Sequence, residues 1–199
     1  RSGVSDAYVI QNQAMLLRLP AGLREDDLIG ALQAVLDHHD ALRLRVVGPA
    51  SSAEFGLEIA AAGSVAARGC LRRVDVGGLG EDSRRACITE QGQAAQMRLA
   101  PAAGVMVQAV WFDAGAAEAG RLLLTIHHLA VDGVSWRILV PDLAAAWAAI
   151  ADGKKPALAA TGTSLRGWAQ RLATEAQDGE RVAELSFWRG MLCAPSLAL

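Results

Sequence analysis

At 199 residues, 52% hydrophobic and 20% charged, the chain is long enough to bury a sizeable core and too apolar to be intrinsically disordered. Its formal net charge of −2 offers no basic field for nucleic acid, and no Lys/Arg cluster interleaves with aromatics as a stacking groove requires. No apolar run approaches the roughly 20 residues that span a bilayer and the opening RSGVSDAYV lacks a secretory leader's layout, so a cytoplasmic protein with no membrane or nucleic-acid partner is expected.

Ala14 to Leu19 reads as a strand stopped by Pro20, entered through Gln11, Asn12 and Gln13. Residues 24–39 carry Leu28, Leu32, Val35, Leu36 and His39 on one stripe, with Asp26 and Asp27 in the first turn, which predicts an amphipathic helix. In HHDALRLRV, Leu42, Leu44 and Val46 alternate with Arg43 and Arg45, the pattern of a strand with a charged face. His38 and His39 lack further ligands at usable spacing, and Cys70, Cys87 and Cys193 are few and far apart. Neither a metal site nor a disulfide framework is therefore expected.

Residues 48–69 are rich in Gly, Ala and Ser, with one short strand candidate at Phe55 to Ile59. Leu71 to Val76 reads as a strand, Gly77 to Gly80 as a turn, and Glu81 to Arg98 as a helix. The GGLG run has no phosphate-cradle pattern. Val105 to Phe112 is a strand by its β-branched and aromatic content, and the short link at 113–120 predicts an antiparallel pair with the next strand.

That next strand organises the chain. Leu122 to Ile126 is an apolar run suited to a strand buried on both faces, and it ends at His127 and His128. Extended geometry sends successive side chains to opposite faces, so one imidazole acts while the other supports. An imidazole titrates near pH 6.5 when unperturbed and can both take and return a proton. We expect His128, next to the turn, to act and His127 to pack into the sheet. Asp132 and Gly133 close the turn, Gly133 by allowing a backbone shape closed to other residues. Ser135 is placed to cap a helix marked by Trp136, Leu139, Val140, Leu143, Trp147 and Ile150, which Pro141 should kink or split. Ser164 should cap a further helix buried through Leu165, Trp168, Ala169 and Leu172. A last helix over 181–192 should turn Val182, Leu185, Trp188 and Leu192 inward.

The string HHLAVDG at 127–133 fits the HHxxxDG pattern, and the chain resembles the condensation-domain superfamily of nonribosomal peptide synthetases. The continuation SWRIL, the phrase GVMVQAVWFD before the signature and the Asn-Gln pair at 12–13 look most like the epimerization branch. The resemblance implies an α/β fold, a chloramphenicol-acetyltransferase-like lobe with a mixed central sheet flanked by helices. On that likeness residues 1–199 form the N-terminal lobe, with the C-terminal lobe absent. It also implies His128 and His127 as catalytic residues, with Asp132, Gly133 and Arg43 supporting the site through an Arg43–Asp132 ion pair, and Ser135 and Trp136 along the substrate channel. The implied substrate is an aminoacyl or peptidyl thioester on the 4'-phosphopantetheine arm of a peptidyl carrier domain. No cofactor or metal binds the chain directly, and the implied reaction inverts Cα from L to D. A second acid/base, a glutamate, belongs to the C-terminal lobe. Peptide-bond formation as a condensation domain, or non-catalytic carrier binding, are the alternatives.

Overall fold

The computed structural model describes residues 11–48 and 56–193, so the Phe55 end of the strand candidate lies outside the described residues. Arg1–Ala160 and Thr161–Leu199 form two separate units. In the first, strands β1 (Asn12–Arg18), β4 (Leu71–Asp75), β5 (Val107–Asp113) and β6 (Arg121–His127) form a sheet of order β1-β6-β5-β4. β6 is antiparallel to both neighbours, while β4 and β5 run parallel, so the sheet is mixed. The short 113–120 link does join an antiparallel pair, as its length predicts.

Leu122 to His127 are all buried, as befits a strand hydrogen-bonded on both edges and covered on both faces. The two faces sort by residue parity. Val110, Phe112 and Leu123 pack with Val76 and Ala95 beneath helix α3 (Glu81–Met97). Val107, Ala109, Leu124 and Ile126 gather on the other face with Leu32, Val35 and Leu36 of helix α1 (Glu25–His38) and Leu139 and Leu143 of helix α4 (Trp136–Ala151). Close approach requires small residues in two helices. A Cβ on Gly92 of α3 would come within 3.2 Å of Leu123, and one on Gly30 of α1 within 2.9 Å of the Ile150 side chain.

Three expectations need correction. The charged strand beginning at Leu42 is instead a 3-10 turn over Asp40–Arg43 followed by β2 (Leu44–Val47), which pairs with β3 (Gly56–Ile59) in a separate two-stranded sheet. Arg45 does sit on an exposed face and meets Glu58 at 2.7 Å, but Arg43 is buried. Of the kink or split expected at Pro141, the split does not occur: α4 runs through it as one helix. Arg137, whose carbonyl loses its usual partner there, and Pro141 are both on the solvent side, where water can replace the missing bond.

The third correction concerns the second unit. A four-residue turn of helix, α2 (Ala67–Cys70), belongs to the first unit, and helices α5 (Leu165–Glu175), α6 (Gly179–Ala183) and α7 (Leu185–Cys193) to the second. Ser164 caps α5 as expected, accepting the Gly167 amide at 3.0 Å. The apolar faces of these helices are exposed, however, with Trp168 and Trp188 each at 51% and Leu192 at 85%. Three short helices cannot enclose a core of their own, because so small a unit has too little interior for its surface.

The connection into β6 is tight at Gly120, where an added Cβ would lie 2.8 Å from the Phe112 carbonyl oxygen and 3.2 Å from the Trp111 indole nitrogen. We expect Gly120→Ala to destabilise the chain by about 1–3 kcal/mol, the usual range for overpacking against fixed atoms. Chemical denaturation measures this, and an unchanged midpoint would show that the backbone relaxes there freely.

Candidate active site

The end of β6 separates the two histidines by exposure. His127 is the last residue of the strand, 1% exposed, while its amide donates to the Met106 carbonyl across the sheet. Its Nδ1 accepts the Leu129 amide at 3.2 Å, which puts the proton of the neutral ring on Nε2. His128 lies just beyond the strand and is exposed, although its amide still donates to the Gln11 carbonyl at 2.9 Å. Backbone pairing therefore holds both residues, but only the second ring faces solvent.

A residue outside the sequence motif completes this end of the sheet. Gln13 on β1 lies opposite Ile126 in the β1–β6 register, and its amide nitrogen is 3.3 Å from His128 Nε2. Its amide oxygen accepts the Trp136 indole N–H at 2.8 Å. Sequence reasoning gives the Asn12-Gln13 pair no role of its own. The available signal is the pairing itself, since an antiparallel β1 beside β6 brings residues 12–13 alongside 126–127. Trp136 is 7% exposed, and its indole N–H is bound to Gln13, which ties the first turn of α4 to β1 beside the histidine loop.

Asp132 organises the turn between His128 and α4. Its Oδ1 accepts the Ser135 hydroxyl at 2.7 Å, the Ser135 amide at 2.8 Å and the Val134 amide at 3.0 Å, while the Asp132 amide donates to the Ser135 hydroxyl at 3.1 Å. The capping roles are thus reversed from expectation: Ser135 has helical backbone angles and makes no cap bond of its own, and Asp132 supplies the acceptor for the free amides entering the helix. The Ser135 hydroxyl first, then the Ser135 and Val134 amides, hold the Asp132 carboxyl below the usual carboxylate range. Gly133 is not among the positive-φ glycines, and a Cβ there would meet nothing within 4 Å, so no special backbone shape requires it.

Arg43 does not reach this turn: no ion pair joins it to Asp132 among the described residues. Its Nε donates to the Ala60 carbonyl at 3.0 Å, and its Nη1 donates to the carbonyls of Asp37, at 2.8 Å, and Leu36. The last two are orphan carbonyls at the C-terminus of α1, where a cation also meets the negative end of the helix dipole. Arg43 is thus a helix-terminating residue, buried to 7% exposure.

Close by in sequence, His39 Nε2 lies 2.7 Å from Asp142 Oδ2, a link from the end of α1 to the second turn of α4. The His38, His39 and Asp142 donor atoms lie within 4.8 Å of one another, so the fold supplies a third ligand that sequence spacing hides. Two of the three are already hydrogen-bonded to each other.

This mixed sheet, with helices on both faces and an exposed histidine at the end of its central strand, defines a condensation-fold, chloramphenicol-acetyltransferase-like lobe. The chain belongs to the condensation domain family, which matches residues 3–199. It is 36% identical over 182 residues to one of the linear gramicidin synthase proteins of Brevibacillus parabrevis, covering 89% of this chain and 3% of that protein. Surfactin synthase subunit 1 of Bacillus subtilis (strain 168) is 32% identical over 181 residues, covering 89% and 5%. Among solved structures, the epimerization domain from the third module of tyrocidine synthetase B superposes with a TM-score of 0.79 at 26% identity, covering 96% of this chain and 41% of that one. The starter condensation domain of rhizomide synthetase shares the fold, with a TM-score of 0.75 at 18% identity, 96% of this chain and 46% of that one. The chain spans less than half of either solved domain and a small part of each synthase. No helix among the described residues is long and apolar enough to cross a membrane.

Replacing Arg43 by alanine should cost on the order of 3 kcal/mol, because buried carbonyls lose a charged donor. Lysine should restore little of this, since an ammonium lacks the planar fork that reaches three acceptors; full rescue by lysine in denaturant titrations would refute the capping role. Asp132, held anionic, supports the turn in full above the ordinary carboxylate range and loses that support as pH falls through its lowered native value. Ser135→Ala should therefore move the Asp132 titration, followed by carboxyl-carbon NMR, upward toward the ordinary range. An unmoved midpoint would assign the effect to the backbone amides alone.

Proposed function

We propose that the chain is the N-terminal lobe of an epimerization domain in a cytoplasmic peptide synthetase, acting on an aminoacyl or peptidyl thioester carried by a peptidyl carrier domain. The substrate arrives on the carrier's 4'-phosphopantetheine arm, and the C-terminal lobe of the same domain completes the site. The observation that carries this reading is the exposed His128 ring at the end of the central strand, with its buried neighbour His127 holding the loop. The likeness to the tyrocidine synthetase epimerization domain supports this branch of the family.

In this reading His128 Nε2 takes the Cα proton: the C–H bond breaks, an N–H bond forms, and the electron pair moves onto the thioester carbonyl as an enolate. A second acid/base group on the opposite face, supplied by the other lobe, returns a proton to Cα and leaves the inverted centre. No net oxidation occurs and no covalent enzyme intermediate forms. Asp132 and Ser135 shape the turn that presents the ring. Amide-bond formation is the second reading, and the family's name favours it. The same imidazole would then deprotonate an attacking amine.

In heavy water, the complete domain with an aminoacyl-loaded carrier should wash deuterium into Cα, and His128→Ala should slow this by roughly 10²–10⁴-fold, the usual contribution of a positioned acid/base group. Exchange that survives in His128→Ala would overturn the assignment of the proton to this ring. A dipeptidyl carrier product without Cα exchange would select condensation.

A further inference from the structure

We propose that Gln13, oriented by the indole of Trp136, is a positioning residue that sets the tautomer of His128, placing the ring proton on Nδ1 and leaving Nε2 as the basic nitrogen. The inference rests on the reading of His128 as the proton-transferring group. Donor and acceptor capacity decides the assignment. The Trp136 indole nitrogen can only donate, so the end of the Gln13 amide 2.8 Å from it must be the oxygen. The other end, 3.3 Å from His128 Nε2, is then the NH2 group, which can only donate. A nitrogen that accepts from it carries no proton, and a neutral imidazole with bare Nε2 is protonated at Nδ1.

Both anchors of this relay are held by the fold. Gln13 sits in the β1–β6 register opposite Ile126, and Trp136 is 7% exposed in the first turn of α4. The reverse tautomer would point an N–H of His128 at an N–H of Gln13. Flipping the amide to avoid that would turn its NH2 against the indole N–H, so the two contacts enforce each other. The 3.3 Å separation is at the long end for a hydrogen bond, which makes the contact weak. A substrate C–H or N–H that approaches Nε2 therefore displaces the Gln13 amide easily, and finds a lone pair already bare. Neighbouring His127 is set the opposite way, with Nδ1 accepting the Leu129 amide, so the loop holds its two imidazoles in opposite tautomers.

The test is long-range ¹H–¹⁵N correlation of the histidine rings in the 199-residue chain, at a pH where the rings are neutral. In the unmodified chain His128 Nε2 should show the shift of an unprotonated nitrogen and Nδ1 that of a protonated one. Gln13→Glu keeps an acceptor for Trp136 but turns an acceptor toward His128, so the ring should swap its proton to Nε2. Trp136→Phe frees the amide and should give a mixture of tautomers, which keeps the proposal testable if the glutamate variant fails to fold. In the complete domain, Gln13→Glu should lower Cα exchange at least tenfold and move the acidic limb of its pH profile upward, because a carboxylate favours the charged ring. A proton found on Nε2 in the unmodified chain, or a tautomer indifferent to both variants, would overturn the proposal and leave the role of His128 untouched. Exchange surviving His128→Ala would instead remove the catalytic reading while the ring spectra still report the relay.

Discussion

The site depends on one constraint, the alternation of side chains along a central strand hydrogen-bonded on both edges. β6 has no freedom to slip, because β1 and β5 fix its register from either side, and a slip by one residue would exchange the buried and exposed sets. With that register set, His127 shares the face of Leu123 and Thr125 and goes into the interior. The chain leaves the sheet at the next residue, so His128 is presented outward with its backbone still tied to the residue before β1. Two identical residues in sequence thus receive opposite surroundings from a single geometric rule.

Around this strand the supporting contacts fall into two separate groups. Asp132 and Ser135 hold the turn after the strand end through local bonds, while Gln13, bound to Trp136 and placed by the β1–β6 pairing, makes a long contact with His128. Arg43, His39 and Asp142 tie the end of α1 to the residue after β3 and to α4, and so set the helical layer that covers one face of the sheet. The first group surrounds the turn that carries His128, whereas the second fastens the end of α1 to α4. α4 joins them, since Trp136 and Asp142 lie on its first two turns.

What the sequence makes legible follows from what periodicity can report. The four strands of the main sheet, the antiparallel β5–β6 pair and the α1, α3 and α4 spans are all read correctly to within a few residues; in α1 and α4 the apolar spacing matches the buried face, whereas α3 buries only Ala95. The Arg43 turn is not, since LRLRV alternates like a strand while its first residues form a 3-10 turn that only tertiary carbonyls explain. Asp132 and Ser135 are both good cap residues, and spacing alone cannot decide which one takes the amides. His39 and Asp142 meet across 103 positions of sequence, and Gln13 and His128 across 115, so neither contact leaves a local trace. The helical stripes of α5 and α7 are legible as faces, but periodicity identifies a face without naming what lies against it.

The most direct measurement is a crystal structure of the complete domain bound to a stable analogue of an aminoacyl-pantetheine thioester. Nε2 of His128 is expected to lie about 3–3.5 Å from the atom that stands for Cα, with His127 still buried and turned away. An analogue seated with its reacting carbon out of reach of that nitrogen, or facing a different ionisable side chain of this lobe, would contradict the proton-transfer role of His128.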